Sequence, residues 1–302
     1  MKRGSLAADA WRRLLRNKMA VAGGVFVIFL VIIAIFAPYI APYPFDEADF
    51  RNAYQPPCRG HPLGTDSLGR DLLSRLIWGT RVSLAVGFIG AITSFVIGVL
   101  WGTIAGFCGG LIDNLMMRVV DFLYAFPTML FVILLMVVFK VNVATTHNPV
   151  ILAMSALDDK LGGMLFVMIG IGAVSWVGIA RLSRGLALSL AEEEYVEAAR
   201  AIGNSSLRIV TKHILPNLMG PCVVYVSLGI PGYISTEAFL SFIGLGVTPP
   251  TPSWGAMISE GYQVMLVYPH MALFPAVALG LTMLAFNFLG DGLRDALDVQ
   301  MQ

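Results

Sequence analysis

Charge is scarce in this chain. Asp, Glu, Lys and Arg make up 13% of its 302 residues, against roughly 25% in an ordinary soluble domain. Cysteine is nearly absent too, and Cys58, Cys108 and Cys222 have neither a disulfide framework nor a metal-ligand spacing, so all three read as inert. None of the five lysines follows a glycine and precedes Ser or Thr, which excludes a phosphate-cradling loop and an ATP site on this chain. No His-Glu-x-x-His occurs, and His61, His147, His213 and His270 all fall outside the apolar runs. An intramembrane hydrolase would need a nucleophile and a base at membrane depth; Ser175, beside Trp176, has no histidine in another run to activate it. A net charge of +1 carries no nucleic-acid signal.

What the chain has is apolar sequence in blocks. Hydrophobic residues reach 57%, and the mean hydropathy is +0.77. Six runs come near the roughly 20 residues a bilayer requires, giving an all-α polytopic membrane protein with six transmembrane helices. The first run has an uncharged core from Met19 to Ala37; the others cover Val82–Phe107, Phe122–Phe139, Leu161–Ala180, Leu218–Gly244 and Met271–Leu289. Pro127, Pro231 and Pro275 predict kinks in the third, fifth and sixth. The first run is too long for a signal peptide, and no small-x-small cleavage site follows it. Thirteen basic residues fall on one side of the spans and seven on the other, five of these seven in one long loop, which makes both termini cytoplasmic. The chain divides into a cytoplasmic tail (1–18), a first transmembrane helix (19–40), an external segment (41–81), a five-helix core (82–290) and a cytoplasmic tail (291–302).

Between the fourth and fifth spans lies a polar stretch, EEEYVEAARAIGNSSLRIVTKHILPN, from Glu192 to Asn217. It reads as two short helices hinged at Gly203, which suits a left-handed cap. Glutamates open the first helix, and Tyr195, Ala198, Ala199 and Ile202 give it an apolar stripe. Asn204, Ser205 and Ser206 offer caps for the second, which Pro216 is expected to end. Two-helix spacing alone would also suit a helix-turn-helix DNA reader, but the flanking spans argue against it. The stretch resembles the EAA loop of binding-protein-dependent ABC importers, with Glu197, Ala198, Ala199 and Gly203, then His213, Ile214, Leu215 and Pro216, on the motif positions. His213 departs from it, standing where an aliphatic residue is usual.

Three other stretches resemble the peptide-importer permeases of the OppC/DppC type, and the likeness runs from about Arg12 to Asp298. The first is the external HPLGTD run (His61 to Asp66) with Gly69-Arg70-Asp71. Asp66 or Ser67 can cap a short surface helix there, with Leu72, Leu73, Leu76 and Ile77 on one side and Asp71 and Arg75 on the other. His61 and Asp66 lack a third ligand for a metal, and a structural loop is the reading preferred. The second is GGLIDNLMMRVVDFLYAFPTML, where Arg118 and Asp121 can pair at i,i+3. The third is the end, FNFLGDGLRDALD, with Asp291, Arg294 and Asp298 on a short terminal helix. The segment Lys140 to Lys160 is longer than the family pattern and has room for an extra surface helix.

Glu237 is the one acidic residue clearly inside a run. It reads either as a group on the translocation path near an external gate or as a structural hydrogen-bond partner of a neighbouring helix. Val247 to Gly261 reads as a surface or re-entrant cap over the external mouth, with Trp254 as interfacial anchor and, with Glu237, a candidate for the translocation path or gate.

The resemblance implies a type I ABC importer permease fold in the bacterial cytoplasmic membrane and a transporter subunit that is not an enzyme. It implies as partners a second, similar permease subunit in a heterodimer, two ATPase subunits that bind ATP, an extracytoplasmic peptide-binding protein and membrane lipid, with no nucleic acid. This chain itself would carry no cofactor and no metal. The cargo implied is dipeptide or oligopeptide, with nickel or another small solute as the alternative. A gated channel is a remoter alternative, since a channel has no use for a docking loop.

Overall fold

The computed structural model describes residues 6–145 and 148–297, with side chains from Trp11 to Phe139 and from Asn148 to Leu297. The described residues form helices and connecting loops, with no β-strand. A short helix, α1 (Leu6–Arg16), precedes the first long one, α2 (Lys18–Ile40). Then come α3 (Leu72–Cys108), α4 (Gly110–Ala125), α5 (Thr128–Thr145), α6 (Pro149–Lys160) and α7 (Met164–Ala191). Two short helices, α8 (Glu194–Ala201) and α9 (Ser206–Ile209), lead through a wide turn into α10 (Leu215–Phe242). The chain closes with α11 (Trp254–Tyr262) and α12 (His270–Leu297).

Five of these helices are long and apolar enough to cross a membrane, and α4 with α5 adds a sixth if the bent pair counts as one span. The third predicted span is therefore not one helix. It breaks at Phe126 and Pro127, and the two halves meet at 88°. Proline disfavours helical backbone at the residue before it, and Phe126 accordingly takes extended dihedrals.

Two other expectations need correction. The amphipathic surface helix of the external segment does not exist as a separate element, because Leu72 to Ile77 are the first turns of the 37-residue α3. Its cap is Asp71, whose carboxylate accepts the Ser74 N–H at 2.7 Å; Asp66 is turned to other partners. The terminal helix is likewise the end of α12, continuous with the sixth span, and Asp298 of the tail pattern lies outside the described residues. The expected extra helix between Lys140 and Lys160 is present as α6, started by Asn148, which accepts the Val150 N–H, and by Pro149 in the first turn. His147 lies outside the described residues.

Close packing at the centre follows from small residues. Gly98, Gly102 and Gly106 recur every four residues along α3 and so form one ridge. A Cβ at Gly98 would stand 2.8 Å from the Trp176 carbonyl oxygen, one at Gly102 2.8 Å from the Arg184 nitrogen, and one at Gly106 2.6 Å from the Arg184 carbonyl oxygen. All three neighbours are backbone of α7. In lipid, helices associate through such close approach because no hydrophobic gain separates protein from acyl chain. Gly102→Leu is expected to cost about 1–3 kcal/mol or more, since backbone cannot swing aside. A lower thermal midpoint for the solubilised chain, with a smaller change for Gly220→Leu where a Cβ meets nothing, checks this.

Ion pairs then fix α4 to α7. Arg184 donates to Asp113 through Nε at 2.5 Å and Nη2 at 2.6 Å, and Arg181 donates to Asp121 at 2.7 Å while its guanidinium lies 3.9 Å from the Tyr124 ring centre. Asp121 thus pairs across to α7 and not with Arg118 on its own helix.

Candidate coupling hairpin and external polar lock

The predicted hairpin forms where α7 ends. Glu192 and Glu193 carry the chain from α7 into α8, and Glu194 and Glu197 sit in the first turn of α8, where the helix dipole favours them. Gly203 has φ +83°. The Gly203 N–H donates to Arg200 O at 3.0 Å and the Asn204 N–H to Ala199 O at 3.1 Å, the paired bonds of a Schellman end. Nothing stands within 4 Å of a Cβ at Gly203, so the glycine answers a backbone requirement and not a shortage of space.

The apolar stripe is divided between two faces. Val196 and Ala199 turn inward with Ile209, Ile214 and Leu218. Val196 was not in the predicted stripe, yet it is fully buried. Tyr195, Ala198 and Ile202 face outward with Glu197, and Ile202 and Leu207 are 81% and 76% exposed. The result is a low-relief knob with apolar tips, anchored from beneath.

Pro216 does not end the second helix. The chain runs helically from Ser206 through to Phe242. Proline lacks an N–H, and its ring crowds the carbonyl four residues earlier. The wide turn Val210–Ile214, in which the Leu215 N–H reaches five residues back to Val210 O, relieves that crowding. His213 and Leu215 are half-buried at this turn, and Pro216 is exposed. Asn217 braces the hairpin by donating to Tyr195 Oη at 3.2 Å and to His213 O at 2.7 Å, and the Tyr195 and His213 rings lie 6.1 Å apart. Arg200 reaches back over Phe107, 5.5 Å from its ring centre, so the hairpin also touches the end of α3. Sequence reasoning gave Arg200 and Asn217 no bracing role, because Phe107 and Tyr195, which they reach, lie far from them in the chain.

At the opposite end of α3, charges are buried together. Asp66 accepts from Arg70 Nε at 2.6 Å and from Arg75 Nη1. Arg75 donates onward to Glu260 on α11 at 2.7 and 3.1 Å, and Arg70 to the same carboxylate at 3.3 Å. His61 meets Asp71 at 2.9 Å. His61 and Asp66 are thus engaged with different partners, and no group of three potential metal ligands occurs among the described residues.

Trp254 is not an interfacial anchor. It is buried, donates its indole N–H to Leu76 O at 3.3 Å, and packs against Gly79. Glu237 is fully buried nearby, accepting from Ser83 Oγ at 3.1 Å and from Ser241 Oγ at 2.7 Å. Its carboxylate is enclosed within this chain, bonded to α3 and to its own helix.

Comparison with known proteins places this architecture. Residues 98–302 match the family model described as binding-protein-dependent transport system inner membrane component, and residues 5–57 match the N-terminal TM domain of oligopeptide transport permease C. The chain is 44% identical to the oligopeptide transport system permease protein OppC of Haemophilus influenzae, over 97% of this chain and 88% of that one. It is 40% identical to the dipeptide transport system permease protein DppC of Bacillus subtilis, over 100% of this chain and 89% of the other. A solved structure of the MetNI methionine ABC transporter in inward-facing conformations shares the fold, with a TM-score of 0.54 at 21% identity, over 75% of this chain and 98% of that one. On its helices, its hairpin and these matches, the chain belongs to the family of binding-protein-dependent transport system inner membrane components.

Proposed function

We propose that this chain is the permease subunit of an ABC importer for peptides, dipeptide or oligopeptide. The observation that carries the cargo class is the identity of 40–44% over nearly the whole chain to permeases named for oligopeptide and dipeptide transport. A second, similar permease completes the pore, two separate ATPase subunits bind ATP, and an extracytoplasmic binding protein delivers the peptide. The outward residues Glu197, Ala198 and Ile202 form the surface that enters a groove on an ATPase subunit, and Gly203 fixes the angle between its two helices. Closure of the ATPases moves the hairpin and switches the cavity between its two openings. Uptake of labelled peptides of graded length, measured beside nickel in a strain lacking this chain, tests the reading. Restored peptide uptake supports it; restored nickel uptake alone would replace the cargo class.

Glu237 enters this reading as an internal tie, which its enclosure by Ser83 and Ser241 supports. Glu237→Gln is expected to alter transport per assembled complex equally for a free and an acetylated version of one peptide. A loss confined to the free amino terminus would return Glu237 to the translocation path.

A further inference from the structure

The short helix α1 ends where α2 begins. Asn17 closes the junction with extended backbone, its Oδ1 accepting the Met19 and Ala20 N–H groups at 3.1 and 3.2 Å. One side of α1 is already covered. Leu14 lies against α12 at Gly292, its Cδ1 3.3 Å from where a Cβ on that glycine would stand. α1 therefore sits level with one end of α2 and the final turns of α12, the side that the Lys and Arg bias assigns to the cytoplasm.

The other side of α1 is open. Trp11 and Leu15, one turn apart, are 61% and 53% exposed. Arg12 and Arg16, also one turn apart, are exposed on the adjoining strip, and Lys18 is exposed just beyond. None of these three cations forms an ion pair among the described residues. An apolar pair beside a row of cations, at the level where a span enters the bilayer, matches a layer with acyl chains on one side and phosphates on the other. A protein partner would have to supply both an apolar cleft and several carboxylates at that depth.

We propose that α1 is a recognition surface for anionic phospholipid of the cytoplasmic leaflet. Arg12 and Arg16, with Lys18, hold the headgroup phosphates, and Trp11 and Leu15 seat in the acyl boundary. The contact does not depend on which solute the importer carries.

The test uses the full chain reconstituted in phosphatidylcholine bilayers. Equal fractions of bromine-labelled phosphatidylglycerol or bromine-labelled phosphatidylcholine are added, and the Trp11 signal is taken as the difference from Trp11→Phe. The anionic lipid is expected to quench Trp11 more strongly, and the preference to shrink in high salt. Removing both charges with Arg12→Gln and Arg16→Gln should lower it on the order of fivefold per residue, while Arg12→Lys with Arg16→Lys should retain it. Equal quenching by the two lipids would overturn the proposal. Absence of quenching by either would also overturn it, because a protein surface would then cover α1.

Discussion

Replacing Gly203 with proline is expected to abolish uptake while the chain still inserts in the membrane. Proline holds φ near −65°, and the hairpin needs +83° at this position. The substitution also removes the N–H that donates to Arg200 O, and it crowds Ile202, the last residue before the turn. The two helices of the hairpin would then leave the turn at a different angle, although Val196 and Ala199 would still hold α8 to the core. Gly203→Ala separates backbone from space. A Cβ there meets nothing, so the cost is only the left-handed backbone, roughly 1–2 kcal/mol, and partial uptake should survive. Transport per inserted chain and ATPase association, measured for both variants, decide the matter. Parental uptake by Gly203→Pro would show that the hairpin angle is not used in coupling.

Asp66→Ala is expected to have the largest effect on stability. It leaves the buried guanidinium of Arg75 with Glu260 alone and takes from Arg70 its nearest carboxylate. Stranding a buried charge in this way costs about 3–5 kcal/mol. Asp66→Asn should cost less, because an amide oxygen can still accept the Leu68 and Arg70 backbone N–H groups that Asp66 Oδ1 now accepts. Glu260→Ala should also cost less, its side chain being 35% exposed and partly screened by water. The order Asp66→Ala, then Asp66→Asn or Glu260→Ala, is read from thermal midpoints and the yield of monodisperse chain. A midpoint unchanged by Asp66→Ala would mean that the network contributes nothing net.

The spans were legible because a bilayer demands long apolar runs, and a run is a property of consecutive residues. The hairpin was legible for a similar reason: Glu197, Ala198, Ala199 and Gly203 lie within one short stretch. Continuity between elements was harder to read. Nothing in Leu72 to Ile77 announces that the helix continues into the span, since polar Arg75 looks like a surface residue until Asp66 and Glu260 are brought around it. Pro216 looked like a stop because a local rule says so, and the wide turn at Val210–Ile214 shows the rule met by another route. Trp254 carried the composition of an interface residue, and only its contact with Leu76 O and Gly79 places it inside. The glycine ridge of α3 is different. Its four-residue spacing stands in the sequence, but which helix lies against that face appears only when the α7 backbone at Trp176 and Arg184 is brought up to it.

That ridge has a mechanical consequence. Two slender rods that can slip past each other bend almost as easily as one, but two rods bonded along their length resist bending as a deeper beam does. Gly98, Gly102 and Gly106 seat α3 directly on the backbone of α7, and residues keyed into each other at successive turns cannot shear. The pair therefore acts as a single girder, carrying the hairpin at one end, through α7 and Phe107, and the Arg75 cluster at the other. If the hairpin couples as proposed, a push on it is expected to reach the far side of the membrane as a tilt of the whole girder, with little of the displacement lost to flexure on the way.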